Sequence, residues 1–225
     1  MADQPTVTQE IGIPFEKREL AGILSASSRS RGMVIFAHGS GSSRHSPRNQ
    51  YVARVLNQAG LGTLLFDLLT PAEESNRDNV FDIPMLGSRL TAATEWLHES
   101  ARLSSLPIGY FGASTGAAAA LWAAVTAPAP IAAVVSRGGR PDLAAERLPE
   151  VRSPTLLIVG SRDPVVLDLN RRAQERLRCK NSLAIVPGAT HLFEEPGTLE
   201  EAAHLARDWF LDHLASQGNL DPPSA

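Results

Sequence analysis

Apolar residues along this chain fall into two alternating kinds of run. Short runs rich in branched residues occupy positions 33–37, 62–66, 106–111, 131–135, 155–159 and 182–186, bounded by Gly, Pro or polar residues. The runs at 131–135 and 155–159 are continuously apolar, which is the pattern of strands covered by helices on both faces. Between the runs, apolar positions recur at helical spacing. Tyr51, Val52, Val55, Leu56 and Ala59 predict a helix that Gly60 ends, and Leu86, Leu90, Ala93 and Leu97 predict another over 83–101. A helix is expected over 114–126, and a last one opens at Thr198, with Leu199, Ala202, Ala206, Trp209 and Phe210 on its buried side. Thr198 and Glu201 have the spacing of a capping box. The polar stretch through Asn76 and Asp78 reads as loop, and 6–11 with 19–25 read as an antiparallel pair leading into the sheet.

Repeated strand–helix alternation implies an α/β fold: a mostly parallel, doubly wound sheet of about eight strands flanked by helices. The chain's 225 residues, 43% of them hydrophobic and 20% charged, suit a single domain over 1–215. The polar, Pro-rich stretch 216–225 is expected to be a disordered tail. With 21 basic against 24 acidic side chains, net charge −3 gives no global attraction to nucleic acid or to an anionic membrane. No apolar segment follows a basic start, and no apolar run is long enough to span a bilayer, so a soluble cytoplasmic protein is expected. The single cysteine, Cys179, excludes an internal disulfide and a multi-cysteine metal cluster.

The strongest chemical signal is Gly112-Ala113-Ser114-Thr115-Gly116, set between the run at 106–111 and a helix. A strand, a sharp turn permitted by small residues, and a helix together raise a serine oxygen above the sheet edge. Such a serine needs a base beside it and an acid to orient that base. Asp163 follows the run at 155–159, and His191 follows the run at 182–186, so both lie at successive strand ends in the order Ser, Asp, His. Asp142 is a rival acid, but Arg140-Pro141-Asp142 reads as a helix start with Asp142 as cap. Backbone amides must receive the oxyanion. Thr115, directly after the serine, is expected to supply one, and Ser40 in the loop His38-Gly39-Ser40-Gly41 the other. Arginines cluster in the same predicted loops, at Arg44, Arg48, Arg137, Arg140 and Arg162. Of these, Arg44, Arg137 and Arg140 are candidates for pairing with a substrate anion.

These stretches resemble the α/β-hydrolases, and most closely their dienelactone hydrolase-like branch. The matching residues are His38-Gly39-Ser40-Gly41, Gly112-Ala113-Ser114-Thr115-Gly116, Gly160-Ser161-Arg162-Asp163 and Ala189-Thr190-His191. The resemblance implies a Ser114–Asp163–His191 triad and ester hydrolysis through an acyl-enzyme, without metal or organic cofactor. Dienelactone hydrolases carry cysteine at the elbow, where this chain has Ser114. Only nineteen residues separate Val135 from Thr155, which leaves no room for a lid domain and points to small esters, lactones or thioesters. Acyl transfer or perhydrolysis on the same triad, or a non-catalytic binding or sensor role, are the alternatives. The sequence leaves open whether copies form a homo-oligomer.

Overall fold

The computed structural model describes residues 6–214, which form one eight-stranded sheet in the order β1-β2-β4-β3-β5-β6-β7-β8. Strands β1 (Val7–Phe15) and β2 (Arg18–Ala26) are antiparallel neighbours, and β2 runs antiparallel to β4 (Gly62–Phe66). From β4 onward the ladder is parallel through β3 (Met33–Ala37), β5 (Ile108–Ala113), β6 (Ala133–Arg137), β7 (Thr155–Gly160) and β8 (Asn181–Val186). The central strands are buried throughout, as their continuous apolar runs require.

Helices cover both faces. On one, α1 (Pro47–Gln58) and α7 (Thr198–Leu214) place Val52, Leu56, Ala202, Ala206 and Phe210 against Val34, Phe111, Val135 and Ile158. On the other, α4 (Ile83–Glu99), α5 (Thr115–Thr126) and α6 (Pro164–Arg176) pack Leu86, Leu90, Ala93, Leu97 and Ala173 over Met33, Ile35, Tyr110 and Leu157. The alanines at 117–120 of α5 are fully buried, and their small size lets this helix lie close under the sheet's centre.

Several boundaries differ from the sequence expectation. Strand β6 begins and ends two residues later than 131–135, because Ser136 and Arg137 continue the ladder opposite Gly112 and Ala113. The polar stretch after β4 contains two short helices, α2 (Pro71–Glu74) and α3 (Arg77–Phe81). The first is opened by a capping box between Thr70 and Glu73. At Thr198 the expected box is not made. The Thr198 hydroxyl donates to the Glu195 carbonyl at 2.8 Å, and the Glu201 amide bonds to the Gly197 carbonyl at 3.0 Å. Gly197, at φ 81°, turns the chain so that backbone carbonyls satisfy the first helical turn. The connection from β6 to β7 holds two 3₁₀ turns, Pro141–Ala144 and Leu148–Glu150, and no lid. The stretch 216–225 lies outside the described residues. Among the described residues no helix is long and apolar enough to cross a membrane.

The segment after β4 is pinned by a partly buried ion network. Arg89 of α4, 2% exposed, donates to the Leu68 carbonyl at 2.7 Å and grips both Glu73 carboxylate oxygens at 2.8 and 2.6 Å. Arg18 also pairs with Glu73, and the Thr70 amide donates to it at 2.9 Å. The Arg89 guanidinium, helped by the Thr70 hydrogen bonds, holds the Glu73 carboxyl down at about 2. A depressed carboxyl stabilises the fold fully above its ordinary value of 4.5, and that contribution is lost as pH falls through about 2. E73Q is expected to cost about 3 kcal/mol in urea unfolding at pH 7 by stranding buried Arg89. The gap to wild type should close between pH 4.5 and 2. A gap that stays constant across this range would contradict the role given to the pair.

Candidate active site

Five parallel strands deliver chemistry to the carboxyl edge of the sheet, where ligands of open α/β folds bind. Strand β5 runs directly into Ser114, which has φ 52° and ψ −121°, a conformation that side-chain-bearing residues rarely adopt. Close packing on both sides permits it. A Cβ at Gly112 would overlap the backbone of Gly116 and Ala117, and one at Gly116 would overlap the carbonyls of Ala37 and His38. The Ser114 amide donates to the Arg137 carbonyl at 3.2 Å, and the Ser114 carbonyl accepts from Ala117 and Arg140, each at 3.1 Å. Ser114 thus stands at the amino terminus of α5, where partial positive charge favours a developing anion.

Asp163 follows β7 and caps α6. One of its oxygens accepts from the Val166 amide at 3.5 Å, and the other accepts from His191 Nδ1 at 2.7 Å. An ionised carboxylate only accepts, so the proton sits on Nδ1 and the lone pair on Nε2. The acid is mostly buried (side chain 14% exposed), whereas the imidazole is reachable from solvent (39%). The loop carrying His191 is braced from several sides. Glu195 accepts from the Thr190 amide at 3.0 Å, and these hydrogen bonds lower its carboxyl pKa. Ser161 Oγ accepts from the Gly188 amide at 2.8 Å, and the Arg162 amide donates to the Ala189 carbonyl at 2.9 Å. The two side-chain braces are not marked in the sequence, since Glu195 lies in an ordinary acidic run and Ser161 beside a turn. Ser114 and His191 line one cleft of about 220 Å³, together with Ser40, Ser46, Arg48, Asn49 and Arg137. No hydrogen bond joins Ser114 Oγ to His191 in this geometry, and apo sites commonly show that contact long.

The loop after β3 lies against the elbow. The Ser40 amide donates to Thr115 Oγ1 at 3.0 Å, which brings the two predicted oxyanion residues together while occupying one of the amides. The Thr115 amide belongs to the first turn of α5, where amides lack an intrahelical acceptor. His38 is a brace beneath this loop. Its Nε2 accepts from the Leu68 amide at 2.9 Å, and Nδ1 donates to the Gly39 carbonyl at 3.0 Å. Burial pushes its pKa below the ordinary value, which keeps the imidazole neutral.

The candidate arginines have different surroundings. Arg44 pairs with Asp67, through its amide at 2.7 Å and through its guanidinium. Arg140 forks onto Asp142 at 2.8 and 2.7 Å, so the Asp142 side chain holds an arginine and caps no helix. Arg137 alone of the three lines the Ser114 cleft. Cys179 lies beside Thr155, at the opposite end of β7 from Asp163. Among the described residues no group of three or more His, Cys, Asp or Glu side chains is placed to hold a metal. A larger open depression of about 980 Å³ lies at the amino-terminal ends of β6 and β7, lined by Pro128, Pro130, Pro149 and Arg152, away from Ser114.

The family described as alpha/beta hydrolase domain matches residues 30–207. Two curated Mycobacterium tuberculosis proteins that carry the name phosphoribosyl transferase are 60% identical over 217 residues, covering 96% of this chain. The chain spans about half the length of these relatives, 49% of each. The crystal structure of a dienelactone hydrolase from Anabaena variabilis is 51% identical, with a TM-score of 0.89, and the match covers 93% of this chain and 99% of that one. Est1E from Butyrivibrio proteoclasticus shares the fold at 14% identity, with a TM-score of 0.79 over 92% of this chain and 99% of its own. The chain belongs to the α/β-hydrolase family, in its dienelactone hydrolase-like branch.

Proposed function

We propose that this chain is a serine hydrolase that cleaves small carboxylic esters, lactones or thioesters through an acyl-enzyme. The observation that carries the reading is the strained Ser114 elbow opening into a cleft shared with His191, whose Nδ1 is held by Asp163 at 2.7 Å. In this mechanism the lone pair on His191 Nε2 takes the Ser114 proton as Oγ attacks the acyl carbonyl. Asp163 keeps the imidazole in the productive tautomer and stabilises it when it becomes charged. The oxyanion moves toward the amides of Thr115 and Ser40, and the latter exchanges the Thr115 hydroxyl for the stronger acceptor. His191 then protonates the leaving group, and water, activated by the same imidazole, releases the acid.

Dienelactone hydrolase in the name of the Anabaena protein, and the esterase chemistry implied for this branch, both agree with the reading. The phosphoribosyl transferase name belongs to proteins about twice as long, and acyl transfer to water uses Ser114, His191 and Asp163 in the roles given above. The short β6–β7 connection, which holds no lid, suits short or exposed substrates. The cleft volume, about 220 Å³, lies below the roughly 300–1,000 Å³ of sites for drug-sized ligands.

S114A is expected to lower kcat on p-nitrophenyl butyrate on the order of 10⁴-fold or more while leaving the fold intact. Retained turnover would remove Ser114 from the mechanism. D163N still caps α6, because asparagine accepts the Val166 amide as well as aspartate does. It should therefore unfold within about 1 kcal/mol of wild type while kcat falls on the order of 10⁴-fold through the wrong imidazole tautomer. Turnover retained at the wild-type rate in D163N would remove Asp163 from the triad.

A further inference from the structure

We propose that Arg137 forms an anion-binding subsite beside Ser114, so that the preferred substrate carries a carboxylate or phosphate near its scissile acyl bond. The proposal rests on the reading of Ser114 as the nucleophile and specifies the substrate class for that site.

Arg137 ends β6, directly beside the nucleophile strand, in register with Ala113. It is 7% exposed, and a buried guanidinium ordinarily has a carboxylate partner because desolvating a lone cation is costly. Among the described residues Arg137 has no such partner. Its Nη2 makes a long hydrogen bond of 3.4 Å to Asn49 Oδ1, and its Nη1 is buried without any acceptor. The rings of Phe111 and Phe193, each 5.8 Å from the guanidinium carbon, hold it in place and offset part of the cost. Burial, with Arg48 nearby, pushes its pKa down to about 10, so it remains charged at neutral pH.

The other arginines at this edge are neutralised differently. Arg44 has Asp67 and Arg140 has Asp142. Arg48, which lines the same cleft as Arg137, reaches Glu194 at 3.2 Å in a largely exposed pair that an entering anion can displace. The amino-terminal turn of α1, with Ser46 and Asn49 in the cleft lining, adds the positive end of a twelve-residue helix. An unpaired guanidinium, a displaceable second one and a helix amino terminus therefore converge on the cleft that holds Ser114 and His191. On the other side of the Ser40 loop a separate small pocket is lined by Leu68, Leu69, Val80 and Leu86 together with Glu74. A planar guanidinium whose Nη1 has no acceptor and whose Nη2 has only a long one fits a carboxylate or phosphate, either of which would give the buried cation its missing partner.

The test compares kcat/KM of the full chain on matched p-nitrophenyl esters of butyrate, succinate (as the hemiester) and 3-phosphonopropionate. At least one anionic ester should exceed butyrate by on the order of 10- to 100-fold. R137M should bring that ratio to about 1, and R137K, which keeps the charge but loses the fork, should give an intermediate ratio. The better anion identifies the group. No anionic preference in wild type, or a loss equal across all three esters in R137M, overturns the proposal. Thermal unfolding at constant ionic strength reads the subsite without turnover. Inorganic phosphate or succinate should raise the Tm of wild type and not that of R137M, and a Tm that neither anion moves, or an equal shift in both proteins, also overturns it. If wild type hydrolyses none of the esters while an anion still protects it through Arg137, the hydrolase reading fails and the subsite stands.

Discussion

A serine at φ 52° persists only where the surrounding packing prevents its relaxation, and most of the architecture around the sheet's carboxyl edge supplies that restraint. The strain costs about 1–3 kcal/mol by general experience, and it is offset by burying an all-alanine stretch of α5 against the central strands. Glycine at 112 and 116 lets the helix come this close, since any side chain there would meet backbone. The same approach puts the β3 loop against the elbow, where the Ser40 amide meets Thr115. The β3 loop, Ser114 and the amino terminus of α5 are thus one packed unit, and His38 ties that unit to the chain beyond β4.

The parts of this arrangement that depend on neighbouring residues in the chain are legible in the amino-acid sequence. The elbow pentapeptide, the strand runs, and the placement of Asp163 and His191 after successive strands all carry local signals. The ends of β6 do not, because Ser136 and Arg137 are polar residues buried by their place in the sheet rather than by their own hydrophobicity. Pairing across the fold is equally invisible. Arg44 finds Asp67 across 23 residues, while Arg137 finds no acid, and neither outcome follows from composition or spacing. The capping box at Thr198 shows the opposite error. Its residues fit the motif, yet the turn at Gly197 lets backbone carbonyls take the hydrogen bonds first.

Near-neutral net charge conceals this division of the site. Acidic side chains cancel several of the arginines at the carboxyl edge, and Arg137, buried without an acid among the described residues, stands next to Ser114. A protein that bears the cost of a lone buried cation retains a field that an anionic ligand can use. The family relation explains the scaffold. What this chain itself places on it is a serine at the elbow and a buried guanidinium beside it, and the proposed chemistry rests on those two.

The central claim of the proposal is that folding itself creates the nucleophile, by holding Ser114 in its strained turn at the cleft it shares with His191. Labelling with a fluorophosphonate probe, followed by peptide mass mapping, tests this most directly. The account predicts a single adduct on Ser114 in the native chain and none on the same peptide in urea. An adduct on a different serine, or an unlabelled native chain, would contradict it.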